Sequence, residues 1–238
     1  SDRDEGYYIA DKVLDGVRNG RSYSDFAVLY RMNSQSNLVE QSFVRMGIPY
    51  RLIGGHKFYD RKEIKDALAY LSVIANPNDS VRLQRIINVP KRGIGDSSVT
   101  AAQEIADGLG ISLFEVIKSA EQFPRLSRSA KKMTEFAQMI EEFIEDVDLM
   151  ELAELYKKVM NVSGYISSLS LDPETKEDRL ANLEELSNNL LRFTRENDEP
   201  TLNDFLQEVA LMTDIDNYNA EAETVVMMTI HAAKGLEF

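Results

Sequence analysis

Apolar residues follow two different periods along the chain, and the change between them predicts its organisation. The short apolar run FAVLYR (26–31) predicts a strand. A helical spacing of apolar residues follows it and ends at Gly47, and PYRLI (49–53) predicts a second strand. Strand, helix and strand in this order form the unit from which parallel sheets are built.

From Arg61 onwards the apolar positions keep the helical period for most of the chain, and loops rich in turn-forming residues separate the predicted helices. The later helices are expected over 152–160, 179–193 and 202–212. The run TVVMMTI (224–230) then predicts a third strand. A helical block of about 165 to 170 residues, the size of a whole domain, is therefore expected between two α/β stretches.

We predict a mainly α protein in which a helical domain is inserted into a parallel-sheet α/β domain. Residues 1–55 and 223–238 would form the α/β domain, and residues 56–222 the helical one. Insertions are tolerated where chain ends lie close together on a surface. Two unrelated domains in tandem explain the same pattern, and the pattern alone favours neither arrangement.

Composition argues against several kinds of site. The 238 residues include no cysteine, and the two histidines, His56 and His231, lie far apart, so neither disulfides nor a metal site is expected. No run is apolar and long enough to cross a bilayer, and residues 1–10 lack the features of a signal peptide. We therefore expect a cytoplasmic protein with no membrane partner. Because the chain starts with Ser1 and stops in a polar loop, we expect it to be an excised piece.

Charge is segregated along the chain. The net charge of −13 argues against a uniformly phosphate-binding surface. Residues 81–100, however, hold four basic side chains and one acid, whereas residues 141–160 hold seven acids and two lysines. One face of the protein is therefore expected to meet phosphate and another to repel it.

The stretch VPKRGIGDSS joins two predicted helices and is a candidate phosphate-binding turn. Gly93 and Gly95 allow a positive φ and close approach of the backbone to a ligand. Free amides at the start of the second helix favour an anion, and Lys91 and Arg92 add positive charge. These features are typical of a helix-hairpin-helix that holds a duplex backbone without reading its bases.

The same composition also suits a purely structural turn. A glycine turn between helices, with two solvated cations and with Asp96 or Ser97 as the N-cap, needs no ligand. For this turn taken alone, the structural interpretation is the simpler one.

Two further polar loops follow predicted strands. In LYRMNSQS, Arg31 and Asn33 can hydrogen-bond to phosphate, sugar or base, while Ser34 or Ser36 can cap the next helix. Polar residues after a strand are usually only loop and cap, so this stretch needs support from elsewhere.

The terminal TIHAAKGLEF places Thr229 and His231 at the end of the third strand and Lys234 and Gly235 in the turn after it. The carboxylate of Glu237, which follows this turn, is at a distance along the chain that suits a hydrogen bond to a sugar hydroxyl. A lone histidine such as His231 is more often structural than catalytic.

Six stretches resemble the UvrD/PcrA type of superfamily 1 DNA helicases, in order and over essentially the whole chain: FAVLYRMNSQS, PYRLIGGHKFYDRKEIKDALAYL, INVPKRGIG, EDRLANLEEL, LNDFLQEVAL and TIHAAKGLEF. The resemblance implies a parent enzyme with two RecA-like motor domains of the P-loop NTPase type. That enzyme would use ATP and Mg²⁺ to move in the 3' to 5' direction along one DNA strand and serve repair or replication in a bacterial, nucleoid-associated setting. This chain would then hold part of the second motor domain (2A) and its inserted accessory domain (2B).

The same resemblance implies roles for the candidate residues. Glu237, with Gly235, would hold the ribose of ATP, and Thr229, His231 and Lys234 would belong to the motif that couples nucleotide to DNA. Two other stretches would contact DNA without sequence specificity. Arg31 and Asn33 would contact single-stranded DNA. The duplex ahead of the fork would be contacted by Lys91, Arg92, Gly93, Gly95 and Ser98.

The sequence contains no Gly-x-x-x-x-Gly-Lys-Ser/Thr phosphate loop. Phosphoryl transfer depends on such a lysine, on Mg²⁺ and on arginine positioning, so we expect the chain alone to bind no cofactor and to hydrolyse no ATP. Two other interpretations stay open: a regulatory or partner-binding helical module, and the motor part of a helicase-nuclease, with repair or replication proteins as possible partners.

Overall fold

A computed structural model describes residues 2–170, 173–217 and 223–234. Within these residues three strands form, β1 (Ala27–Tyr30), β2 (Tyr50–Ile53) and β3 (Val225–Thr229). The helices of the described residues are, in chain order, α1 (Asp2–Arg18), α2 (Ser36–Met46), α3 (Lys62–Ala75), α4 (Ser80–Ile86), α5 (Asp96–Leu109), α6 (Leu113–Lys118), α7 (Ala130–Asp146), α8 (Leu152–Val162), α9 (Tyr165–Leu169), α10 (Lys176–Glu196), α11 (Leu202–Asn217) and α12 (Ile230–Ala233).

The three strands form one parallel sheet in the order β1-β3-β2. Ala27 of β1 pairs with Val226, and Tyr50 of β2 pairs with Val225. The strand that comes last in sequence is thus the central one, and its apolar run is explained because a central parallel strand is covered on both faces. Both flanks of the helical block contribute to this sheet, which two unrelated domains in tandem would not produce. The prediction of a mainly α protein with a small parallel sheet is confirmed.

Helix α1 was missed by the sequence analysis. It packs on α2, and Ala10 and Val13 are buried in the same core as Phe43 of α2. Gly6 permits this packing, since a Cβ on Gly6 would lie 2.8 Å from the backbone oxygen of Leu38. The signal was present in the sequence, because apolar residues recur in residues 9–17 at helical spacing.

Contacts divide the chain into two compact units. The first unit contains the described residues up to Ile64, Glu177–Glu185 and the described residues from Gln207 onwards. The second unit contains Lys65–Lys176 and Leu186–Leu206. Parts of α10 and α11 fall in the first unit together with the sheet.

Among the described residues of the second unit, helices are the only regular secondary structure, and its core follows the apolar periods read from the sequence. In α7, Met133, Phe136, Ile140 and Phe143 form one buried stripe. Burial of each such side chain contributes roughly 1.5–3 kcal/mol relative to leaving it exposed. In the described part of the chain, no helix has both the length and the apolar character needed to cross a membrane.

Candidate nucleic-acid interface

The connection between α4 and α5, residues 87–95, is called the glycine turn here. Gly93 has a φ of 75°, as the sequence predicts, whereas Gly95 has a φ of −78° and is the N-cap of α5. Neither Asp96 nor Ser97 is the cap, because α5 begins at Asp96. Gly93 and Gly95 are both exposed, so the turn is open to a ligand.

Asn88 gives the glycine turn its shape. Its Oδ1 accepts hydrogen bonds from the backbone N–H of Arg92 (2.8 Å) and of Ile94 (3.2 Å). The Ile94 side chain is fully buried, which anchors the turn between its two exposed glycines. Sequence analysis did not single out Asn88, although an asparagine that enters a glycine-containing turn is a common signal for side-chain to backbone bonding.

Several backbone amides of the glycine turn and of the start of α5 are free to bind an anion. The N–H groups of Gly93, Gly95, Asp96 and Ser97 have no hydrogen-bond partner among the described residues. All four residues are exposed. The first amides of a helix carry a partial positive charge, so this surface attracts phosphate.

A lysine that the sequence analysis missed completes this surface. The Nζ atom of Lys132, in the first turn of α7, lies against Gly93, where any Cβ would collide with it. Lys91 is also exposed, and neither lysine has an ion-pair partner among the described residues. No local pattern could have joined Lys132 to the turn, because the two are brought together only by the packing of α7.

Ser98 links the start of α5 to the start of α7. Its Oγ lies 3.0 Å from the Oγ of Ser129, which is buried and is the N-cap of α7. Two helix N-termini therefore lie side by side at the glycine turn. Their partial positive charges add to those of the two lysines.

The side chain of Arg92 points into the fold instead of towards a ligand. Its guanidinium donates to the backbone oxygens of Ile86 (3.1 Å), Pro90 (3.2 Å) and Ser163 (2.9 Å) and to the hydroxyl of Tyr70 (2.7 Å), and it lies 4.9 Å from the ring centre of Phe136. Through these contacts the guanidinium stabilises the conformation of the turn. The phosphate-binding role expected for Arg92 therefore needs revision.

Tyr70 forms the second support of the glycine turn. Its hydroxyl donates to the backbone oxygen of Val89 at 2.6 Å and accepts from Arg92. Burial raises the pKa of Tyr70, although the charge of Arg92 acts in the opposite direction. The hydroxyl therefore stays protonated and keeps its donor role.

The basic stretch at 81–100 is less available to phosphate than its composition indicates. Arg82 pairs with Asp79 at 2.9 Å, and Arg85 pairs at 2.7 Å with Asp66, a buried acid. With Arg92 also engaged in the fold, Lys91 is the one basic residue of this stretch without an intrachain partner among the described residues.

The loops that follow the three strands meet at one edge of the sheet. A Cβ atom added to Gly55, after β2, would lie 3.6 Å from the Oδ1 of Asn33, after β1. A Cβ atom added to Gly54 would lie 3.6 Å from the Cβ of Ala232, after β3. Arg31 is exposed in the same loop as Asn33. The carboxyl edge of a parallel sheet is the usual place for a ligand, so the geometry brings the three loops together where a ligand would bind.

One expectation at this edge needs correction. Gln35 is the N-cap of α2, so Ser34 and Ser36 do not cap it, and the Oγ of Ser36 donates instead to the backbone oxygen of Asn33 (2.9 Å). Thr229 is the N-cap of α12, and its Oγ1 accepts a hydrogen bond from the N–H of Ala232 at 3.0 Å.

The remaining candidates of the terminal stretch are distributed between described and undescribed residues. His231 and Lys234 are exposed. Gly235 and Glu237, the residues assigned by resemblance to the ATP site, lie outside the described residues.

Comparison with known proteins identifies the family. Residues 1–238 match the family model described as the UvrD-like helicase C-terminal domain. The chain belongs to this family. It is 41% identical over 245 residues to the ATP-dependent DNA helicase PcrA of Staphylococcus epidermidis and 39% identical over 242 residues to that of Staphylococcus aureus. Each match covers 100% of this chain and 33% of the relative, so the chain spans about a third of the length of these curated relatives.

A buried ion pair joins α2 to the segment after β2 in this UvrD-like helicase C-terminal domain. Glu40 accepts hydrogen bonds from the hydroxyl of Tyr50 (3.2 Å) and the backbone N–H of Phe58 (3.0 Å), and its carboxylate lies 3.7 Å from the guanidinium of Arg61. The pKa of Arg61 is lowered by burial, while the nearby acids, Glu40 first, oppose that shift. The pair fixes the loop after β2 to α2.

Sequence reasoning missed this ion pair, although one signal pointed to it. Glu40 lies between Val39 and Phe43 on the face of α2 that is buried in the core, where an acid requires a partner. Among the described residues of this UvrD-like domain, no group of three or more acids and histidines is placed to hold a metal ion.

Proposed function

We propose that this chain is part of an ATP-dependent DNA helicase that moves in the 3' to 5' direction and contacts both single-stranded and duplex DNA. Residues 1–55 and 223–238 would belong to the second RecA-like motor domain (2A) and residues 56–222 to the accessory domain (2B). The family match, the names of the relatives and the entry of β3 between β1 and β2 support this assignment.

The observation that carries the proposal is the exposed glycine turn. Free amides of Gly93, Gly95 and the start of α5 lie beside Lys91 and Lys132. Such groups bind phosphate and carry no information about base sequence, so they suit the duplex ahead of a moving fork. In this proposal Ser98 assists at the joined helix starts, and Arg92 positions the turn instead of touching DNA.

The sheet edge would serve the motor of the parent enzyme. Arg31 and Asn33 would line the path of single-stranded DNA, as amide and guanidinium groups suit phosphate and sugar. Thr229, His231 and Lys234 would couple nucleotide to DNA, and Gly235 and Glu237 would contribute to the ATP site. ATP and Mg²⁺ would be bound mainly by parts of the parent enzyme that this sequence does not contain.

Charge reversal at the glycine turn tests the proposal. We expect the double substitution Lys91→Glu with Lys132→Glu to weaken binding of this chain to forked and duplex DNA by at least about tenfold at low salt. The slope of log Kd against log salt concentration should also fall by about two, which is about one for each lost phosphate contact. Fluorescence anisotropy with labelled DNA across a salt series provides both quantities.

A matched control distinguishes this contact from the overall charge. Lys157→Glu with Lys176→Glu makes the same charge change elsewhere in the second unit and should alter the affinity by less than about threefold. An unmodified chain that does not bind DNA, or equal losses in the two double variants, would contradict the assignment of the glycine turn.

ATP turnover is the second expected result. The chain should hydrolyse ATP no faster than background, with or without DNA, because its sequence contains no phosphate loop lysine. A phosphate-release assay on the purified chain measures this, and clear turnover would show that the nucleotide site has been assigned wrongly.

A further inference from the structure

The second unit contains an open cleft that the DNA-binding proposal does not use. It has a volume of about 510 Å³ and lies between the turn that joins α7 to α8 and the loop that joins α10 to α11. Its apolar lining comes from both segments: Val147, Leu149, Met150, Leu152, Pro200 and Leu202. A cleft with this lining accommodates an apolar side chain of a partner.

The same cleft is acidic. Asp148, Glu151 and Glu154 line it and are exposed, and none of the three has an ion-pair partner among the described residues. The loop that supplies Pro200 adds the exposed acids Asp198 and Glu199. None of the described lining residues is basic. Phosphate is therefore repelled from this surface, and a cationic group is attracted to it.

Lys158, which lies close to the acidic cleft in sequence, does not neutralise it. Lys158, on α8, bonds to Asp146 at 2.6 Å, so its charge is balanced by an acid outside the lining. The three lining acids keep their negative charges available to a ligand.

Leu149 is the second observation at this cleft. Its side chain is 79% exposed although it lies among the apolar lining residues. Scattered exposed leucines need no explanation, but an exposed leucine that continues an apolar surface inside a concave site marks a contact for a partner.

We propose that the acidic cleft binds a lysine- and arginine-rich peptide segment of a partner protein, with an apolar residue of that segment packed against Leu149. Its acids select basic partners and exclude nucleic acid, and its apolar lining selects a peptide over a free cation. This role is independent of the glycine turn, and either proposal can fail without the other.

A synthetic peptide tests the acidic cleft directly. The probe is a fluorescein-labelled peptide in which one leucine is flanked by lysines, and a second peptide carries serine in place of that leucine. We expect Asp148→Asn with Glu151→Gln and Glu154→Gln to weaken binding of the first peptide by on the order of tenfold, as three exposed ion pairs are lost. In NMR spectra of the unmodified chain, that peptide should shift the amide signals of Leu149, Met150 and Thr201.

Matched variants distinguish a specific binding site from non-specific attraction of a basic peptide to an acidic protein. Glu121→Gln with Glu142→Gln and Glu174→Gln removes the same charge from exposed positions outside the cleft lining and should leave the affinity within about twofold. Leu149→Ser should weaken binding of the leucine peptide several-fold and leave the affinity for the serine peptide unchanged. Duplex DNA affinity of the cleft variants should not fall.

Four results would overturn the inference. They are absence of peptide binding by the unmodified chain, equal losses in the two triple variants, binding of the leucine peptide that is unaffected by Leu149→Ser, and amide shifts that do not include the cleft residues. None of these results would bear on DNA binding by the glycine turn, which Lys91→Glu with Lys132→Glu tests separately.

Discussion

Replacing Arg92 by alanine should reduce the affinity of the chain for duplex DNA by at least about tenfold and leave the salt dependence of binding unchanged. The guanidinium makes hydrogen bonds to four backbone oxygens, those of Ile86, Ile87, Pro90 and Ser163, and to the hydroxyl of Tyr70, and it lies over the ring of Phe136. Hydrogen bonds from a charged donor contribute about 1.5–3 kcal/mol each, so their loss releases the turn. No phosphate contact should be lost, because the guanidinium is engaged by groups of the fold.

The salt dependence distinguishes support from contact. Lys91→Ala should lower the slope of log Kd against log salt concentration by about one, as expected for a lost phosphate contact. Arg92→Ala should leave that slope unchanged while the affinity falls. A slope lowered equally in both variants, or full affinity in Arg92→Ala, would show that Arg92 contacts DNA or is dispensable.

A milder substitution extends the test to a chain that keeps its fold. Tyr70→Phe removes the hydroxyl that donates to Val89 and accepts from Arg92. The ring stays in place, so the change is confined to these two bonds. We expect a loss of DNA affinity of several-fold with an unchanged salt slope, checked by circular dichroism for retained helix content.

Arg61→Ala should destabilise the first unit by about 3–5 kcal/mol, the cost of leaving one partner of a buried ion pair without the other. Arg61 is 7% exposed and Glu40 is 4% exposed, and the carboxylate would remain in the core without its cation. The guanidinium also donates to Asn182 at 2.7 Å and Ser36 at 2.8 Å, so three buried groups lose a partner. Urea unfolding followed by circular dichroism measures the loss.

Arg45→Ala is the control for the buried pair. Arg45 pairs with Glu208 at 3.1 Å, with 33% and 38% of the two side chains exposed. Solvent screens such a pair, so its loss should cost less than about 1 kcal/mol. The double substitution Glu40→Gln with Arg61→Met removes both charges and should recover part of the stability lost in Arg61→Ala. Equal effects of Arg61→Ala and Arg45→Ala would contradict the buried network.

Local periodicity was sufficient to predict most of the secondary structure. The strands β1, β2 and β3 lie within the predicted runs, and α2 ends at Met46 with Gly47 as its C-cap, whose φ of 67° only glycine adopts readily. These features depend on neighbours a few residues apart, which the sequence displays directly. Helix α1 was within reach of the same reasoning and was overlooked.

The candidate site was predicted only in part. The positive φ of Gly93 was correct, and the exposure of the turn supports its proposed use. Asn88 and the buried acid Glu40 were overlooked, although each stood at a position where a polar side chain needs a backbone or charged partner. Lys132 had no signal in the sequence.

The sequence by itself determined where helices, strands and the glycine turn form, because those choices depend on backbone preferences and on apolar periods. Only the tertiary structure decided the central position of β3 and the roles of the charged residues. Arg92 and Lys91 are adjacent in sequence, yet one is bound within the fold and the other faces solvent. A charge acts according to the groups that packing brings to it: Tyr70 and Ser163 for Arg92, and Gly93 for Lys132, are all far away in sequence.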